Sequence, residues 1–68
     1  MKLREFVCVF EEDTLFDLRD SRGENFLNSL TSQTIFKNKL YLDNDVIQAS
    51  AVEEGVVGVM IKGYVRNE

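Results

Sequence analysis

The sequence predicts an α+β fold: one small domain over residues 1–68, with elements in the order α-β-β-α-β-β and an antiparallel sheet with helices on one face. Three observations predict it. Apolar residues recur at helical spacing near the N-terminus, two pairs of strand-like segments are each joined by a glycine-bearing turn, and a hydroxyl-led helical stretch separates the pairs. With 44% hydrophobic residues, a chain of 68 has enough apolar surface for one compact core and little left for a deep pocket.

From Lys2 to Glu12, the residues Leu3, Phe6, Val7 and Phe10 fall at i, i+3, i+4 and i+7, which is one face of a helix. Lys2, Arg4, Glu5, Glu11 and Glu12 group away from that face. The run Phe6-Val7-Cys8-Val9-Phe10 has strand-like composition, but the helical spacing is the stronger signal. Thr14 to Asp20 reads as a strand with Phe16 and Leu18 on one side and Asp17 and Arg19 on the other. Ser21-Arg22-Gly23 supplies the turn, its glycine taking the left-handed position, and Glu24 to Leu30 returns as the second strand.

Hydroxyls among Thr31, Ser32 and Thr34 can cap a short helix over Thr34 to Lys39, docked by Ile35 and Phe36. Leu40-Tyr41-Leu42 anchors the connection and Asp43-Asn44-Asp45 makes a turn. Val46 to Glu53 is the third strand, Glu54-Gly55 the turn and Val56 to Tyr64 the fourth strand. Gly58 and Gly63, inside that last strand, mark a bulge or a close backbone approach. The fourth strand is apolar on both faces, with Val57, Val59 and Ile61 on one and Val56, Met60 and Tyr64 on the other. Two short helices cover one face of a sheet. The second face therefore packs on another copy, giving a homodimer through Val56, Met60 and Tyr64, or the sheet curls into a partial barrel.

Between Leu40 and Ile61 stand Asp43, Asp45, Glu53 and Glu54 and no basic residue, which matches the formal net charge of −4 for the chain. Acidic tips on an apolar strand pair suit a basic protein surface, and Glu11, Glu12 and Asp13 add to that candidate contact. A net charge of this size also serves solubility. The basic residues are scattered, which argues against nucleic acid as a direct ligand. Cys8 is the single cysteine, so no intramolecular disulfide forms and the expected compartment is the cytoplasm. The N-terminal residues lack a secretory h-region, and the longest apolar runs fall far short of the ~20 residues that cross a bilayer, so no membrane partner is expected.

Histidine is absent, which excludes His-based acid–base chemistry and Ser–His or Cys–His dyads. Cys8, between Val7 and Val9, reads as a small core residue. The carboxylates of Glu11-Glu12-Asp13 and Asp43-x-Asp45 could hold Mg²⁺ or activate water only beside a cleft and an orienting cation. Neither accompanies them in sequence, and no catalytic residue is expected. For zinc, Cys8 and Glu12 lie four apart on one expected helix face with Asp13 adjacent. Structural zinc favours four ligands dominated by Cys or His, so only a mixed or intermolecular site would form, and no cofactor is expected. Gly55, Gly58 and Gly63 match no phosphate loop, and the aromatic residues do not alternate with basic ones as a base-stacking platform requires.

The opening Met1-Lys2-Leu3-Arg4-Glu5-Phe6, the step Glu12-Asp13-Thr14 into Phe16-Asp17-Leu18-Arg19-Asp20, and Val46-Ile47-x-Ala49-x-Ala51-x-Glu53-Glu54-Gly55 resemble small accessory proteins of phages and prophages from Gram-positive bacteria. The resemblance spans nearly the whole chain and rests on pattern rather than on a signature motif. Some small acidic phage proteins of this kind are anti-CRISPR inhibitors, which bind a type II CRISPR effector nuclease and block guide or target DNA loading. The resemblance thus implies a non-enzymatic protein that binds a host protein in the bacterial cytoplasm. The alternative is a homodimeric structural or assembly module of a phage with no host target. No catalytic residue carries over, and Cys8 stands where the pattern has an ordinary aliphatic residue.

Overall fold

The computed structural model describes residues 1–63. Its elements are α1 (Leu3–Val7), β1 (Leu15–Arg19), β2 (Asn25–Thr31), α2 (Ser32–Lys37), β3 (Val46–Glu53) and β4 (Val56–Ile61), in the expected order. The strands form one sheet in the order β2-β1-β4-β3. The two hairpins, β1–β2 and β3–β4, are antiparallel, whereas the central pair β1–β4 is parallel. Alternation assigns each strand its faces but says nothing about how one hairpin is oriented against the other, so this parallel seam is not legible from period alone.

One face of the sheet carries the core. Phe16 and Leu18 of β1 and Val59 and Ile61 of β4 are fully buried there, closed over by Leu3 and Val7 of α1 and Ile35 of α2. Burial in β1 alternates as the sequence requires, with Phe16 and Leu18 inward. Ile35 docks α2 as expected, while Phe36 is 37% exposed at the rim.

Helix α1 is shorter than the apolar spacing predicts. It stops at Val7, and the chain continues through i→i+3 bonds, Val9 N–H to Phe6 O at 3.3 Å and Phe10 N–H to Val7 O at 3.5 Å. The turn serves the aromatic packing. Phe10 still meets Phe6, with ring centroids 5.0 Å apart, and also sets its edge on Phe16 at 5.5 Å. Cys8 and Val9 are carried outward as a result. Cys8 is exposed at the end of the helix, which corrects the reading of it as a core residue. At the other end, the Leu3 and Arg4 N–H groups donate to Asn44 O and Leu42 O, and Lys2 N–H donates to Glu5 Oε1. Those bonds occupy donors that a helix start leaves free.

Helix α2 begins at Ser32, two residues earlier than the sequence suggests, because Thr31 is the cap. Its hydroxyl accepts Thr34 N–H at 3.1 Å. Thr31→Ala should lower the unfolding free energy by about 1 kcal/mol, read as a lower urea midpoint at unchanged slope. An unchanged midpoint would show that the cap contributes nothing.

Strand β3 has the expected bounds and is irregular around Ile47 and Val52. Strand β2 is irregular twice, and Ser29 within it has φ 57°. Gly58 marks a close approach, since a Cβ there would lie 3.0 Å from Val52 Cγ2. Gly63 follows the end of β4 with φ 89° instead of lying within the strand. The expected extension of β4 to Tyr64 falls outside the described residues.

Candidate functional site

The strand register sorts the acidic residues between the two ends of the sheet. Leu15 pairs with Thr31 on one side and Val56 on the other, and Val56 pairs with Glu53. The starts of β1 and β4 and the ends of β2 and β3 therefore share one end. The loop that carries Glu11, Glu12 and Asp13 enters β1 there, and the turn that carries Glu53 and Glu54 enters β4 there. A main-chain bond fastens the two segments together, Leu15 N–H to Gly55 O at 2.9 Å. The first segment is itself closed by Thr14 N–H donating to Glu11 O at 3.0 Å.

All five carboxylates are exposed, and none takes part in an ion pair among the described residues. The residues that close this end with them, Thr14, Gly55, Val56, Thr31, Ser32 and Gln33, contribute no cation. Five like charges on adjoining loops make a local negative field that an incoming cationic surface would relieve.

Asp43 and Asp45 stand apart from them, at the opposite end of β3. Asp43 Oδ1 accepts from Arg4 Nε at 3.1 Å and from Arg4 Nη2 at 2.8 Å, and Asp45 lies 3.3 Å from Lys2 Nζ. The four acids that the sequence groups between Leu40 and Ile61 thus form no single patch. Two are matched by cations of α1 and its preceding residue, and the other two join Glu11, Glu12 and Asp13. Side chains on α1 are distant in sequence from Asp43 and Asp45, so only the fold exposes that pairing.

The metal candidates do not share the geometry their spacing suggested. With α1 ending at Val7, Cys8 and Glu12 are not on one helical face. Among the described residues, no three Cys, Asp or Glu side chains converge as a metal site requires.

The second candidate surface is the sheet face away from the helices. Across it run Leu15, Asp17 and Arg19 of β1, Val56, Gly58 and Met60 of β4, and Gln48 and Ser50 of β3, as the register of alternate residues dictates. Val56 and Met60 are half-buried there, so the strand apolar on both sides does present its second side outward. Tyr64, the third residue expected on it, is outside the described residues.

Arg19 is the residue that sequence reasoning passed over. It is half-buried on this face, and its guanidinium carbon lies 3.8 Å from where a Cβ on Gly58 would stand. Gln48, Ser50 and Met60 complete a recess of about 60 Å³ around it. Gly58 stands opposite Asp17 and Arg19 opposite Met60, so the two meet on the diagonal across the parallel seam, and the sequence carried no signal of it. Gly58 leaves the space across which the long side chain lies flat.

A wider concavity of about 550 Å³ opens to solvent between Arg4, Tyr41 and Asn44. Arg4 and Asp43 pair with one another there, and the exposed Lys39 also lines it. In comparison with known proteins, the chain matches no family model, no curated protein and no solved structure.

Proposed function

We propose that this chain is a non-enzymatic binding protein whose contact surface is the acidic end of the sheet, formed by Glu11, Glu12, Asp13, Glu53 and Glu54. The observation that carries the reading is the bond from Leu15 N–H to Gly55 O, which holds the two acidic loops, without an ion pair among the described residues, side by side at the start of the central strands. The partner chemistry is a basic protein groove of the kind that otherwise takes nucleic acid. The phage resemblance gives the sharpest version: a type II CRISPR effector nuclease of the bacterial host, inhibited in the cytoplasm by occupation of its guide or target DNA channel.

The test is titration calorimetry against such a nuclease, free and guide-loaded, at two salt concentrations. Affinity should fall as salt rises. Changing Glu11, Glu12, Asp13, Glu53 and Glu54 together to Lys should weaken binding by about 100-fold or more, since charge pairs in such contacts couple by at least ~1.5 kcal/mol each. Reversal at Asp43, already occupied by Arg4, should change affinity much less. Failure to bind any form of the nuclease rejects that partner. Binding undiminished in the five-residue variant rejects the acidic end as the contact.

A second reading, a homodimeric structural module of a phage with no host target, draws support from the uncovered sheet face with Val56 and Met60 half-exposed upon it.

A further inference from the structure

We infer that the free edge of β3 pairs antiparallel with β3 of a second copy, so that two four-stranded sheets join into one of eight strands. This contact does not rest on the partner proposed for the acidic end, although it shares Glu53 and Glu54 with that surface. It uses a strand edge, not the β4 face.

β3 is the last strand of the sheet, bonded to β4 on one side only. Alternate N–H and C=O groups of an edge strand point away from the sheet and accept another extended chain. The beginning of this edge already behaves so. Asp45 O accepts Lys62 N–H on the β4 side, and Val46 N–H, pointing the other way, donates to Met1 O at 2.8 Å. Lys2 pairs with Asp45 as an isolated antiparallel bridge. From Ile47 to Glu53 the edge is open among the described residues.

Within that open segment the ladder to β4 is regular from Gln48 to Ala51, with an irregularity at each end. The segment has no proline and no lysine, and its one charge, Glu53, is at the far end. The opposite edge, β2, carries the left-handed Ser29 as well as two register shifts, whereas the two shifts of β3 leave Gln48 to Ala51 regular. Ala49 and Ala51 share the core-side face with their partners Val59 and Val57, yet both alanines are exposed.

A second copy satisfies the edge better than an arbitrary strand because the edge is complementary to itself when reversed. Ser50 is the midpoint of the open segment. Antiparallel pairing about Ser50 sets Ala49 opposite Ala51 of the second copy, small residues that let the backbones close, and sets no like charges opposite each other. The charges at the two ends of the strand differ. Lys2, paired with Asp45 at 3.3 Å, and Lys62 flank its beginning, and Glu53 and Glu54 stand at its end. Reversal brings each copy's Glu53 and Glu54 towards the other copy's Lys2, twice by symmetry. One strand edge buries well under the ~1,600 Å² of a standard interface, so the association is weak, roughly micromolar to millimolar.

Sedimentation equilibrium of the full chain up to about 1 mM should show the mass rising towards that of a dimer. Over the same range, amide hydrogen exchange should slow at Gln48 to Val52 and not in β2. Ala49→Lys with Ala51→Lys places like charges opposite each other and should weaken the dimer by about tenfold or more, with far-UV circular dichroism unchanged because both sites are exposed. Ile47→Lys, at another exposed site, serves if the double variant does not fold. Met60→Glu, on the sheet face, should leave the dimer intact. A strict monomer at 1 mM overturns the inference. So does a dimer indifferent to the lysines, a dimer lost only with Met60→Glu, or concentration-dependent protection confined to β2.

Discussion

Phe16→Ala should leave the domain largely unfolded at 25 °C. Phe16 is fully buried at the centre of the core and touches both other rings of its cluster, Phe10 at 5.5 Å and Phe6 at 6.4 Å between centroids. Truncating a buried phenylalanine costs about 3–5 kcal/mol, from lost transfer energy and from the cavity left behind. A chain of this length has a total stability of roughly 3–10 kcal/mol, so the loss consumes much or all of it. Collapse of neighbours into the hole is restricted, because Leu18, Val59 and Ile61 are fixed in the sheet ladder on either side. Far-UV circular dichroism through a urea titration reads the result. Phe36→Ala is the control, since Phe36 is partly exposed and should cost much less. A Phe16→Ala chain with the parental urea midpoint would contradict the packing described for β1.

Asp20→Ala should destabilise by about 2–4 kcal/mol, the largest effect expected of any polar residue in the chain. Its side chain is fully buried at the end of β1, where Oδ1 accepts Arg22 N–H at 2.9 Å and Glu24 N–H at 3.0 Å. The same residue's main chain closes the loop, with Gly23 N–H donating to Asp20 O and Asp20 N–H donating to Glu24 O. Alanine removes the acceptor of both bonds, and the tight loop to β2 loses its internal scaffold. Asn keeps one carbonyl oxygen in the same place, so Asp20→Asn should retain about half of the difference. Arg22→Ala should cost under about 1 kcal/mol, because Arg22 is mostly exposed and stands 3.8 Å from Asp20 Oδ2. Equal urea midpoints for Asp20→Ala and the parent would show that the loop holds itself without the carboxylate.

How much of this was legible in the sequence depends on the distance over which each feature is decided. Local features were readable. β3 runs from Val46 to Glu53 as its bounding turns suggest, Gly23 adopts φ 88°, and Phe16 and Leu18 face inward. The helical spacing of Phe6 and Phe10 misled for a definable reason: two aromatic rings four residues apart meet equally well across a tight turn, and Phe16 supplies a third ring that favours it. The features decided at long range were not readable. The Arg4–Asp43 and Lys2–Asp45 pairs divide the acidic residues into a matched and an unmatched set, and each joins residues about forty positions apart. Asp20 was visible as a strand end but not as a buried scaffold, because a carboxylate that binds its own loop has the same spelling as one in solvent. The candidate contact surface was therefore half legible. Glu53 and Glu54 lie at the same end of the sheet as the loop of Glu11, Glu12 and Asp13, whereas Asp43 and Asp45 are held by α1 and its flanking lysine.

The parallel seam between β1 and β4 fixes when this protein can become folded. All of residues 20–55 lie between the two strands at its centre. Each hairpin alone is a two-stranded ribbon, which is marginal in water, and neither contains the whole of the core. The rate-limiting event is thus the closing of a long chain segment, a slow step that local propensity cannot hasten. During synthesis, Phe16 and Leu18 emerge before Val59 and Ile61, so the growing chain carries bare apolar side chains until β4 has cleared the ribosome.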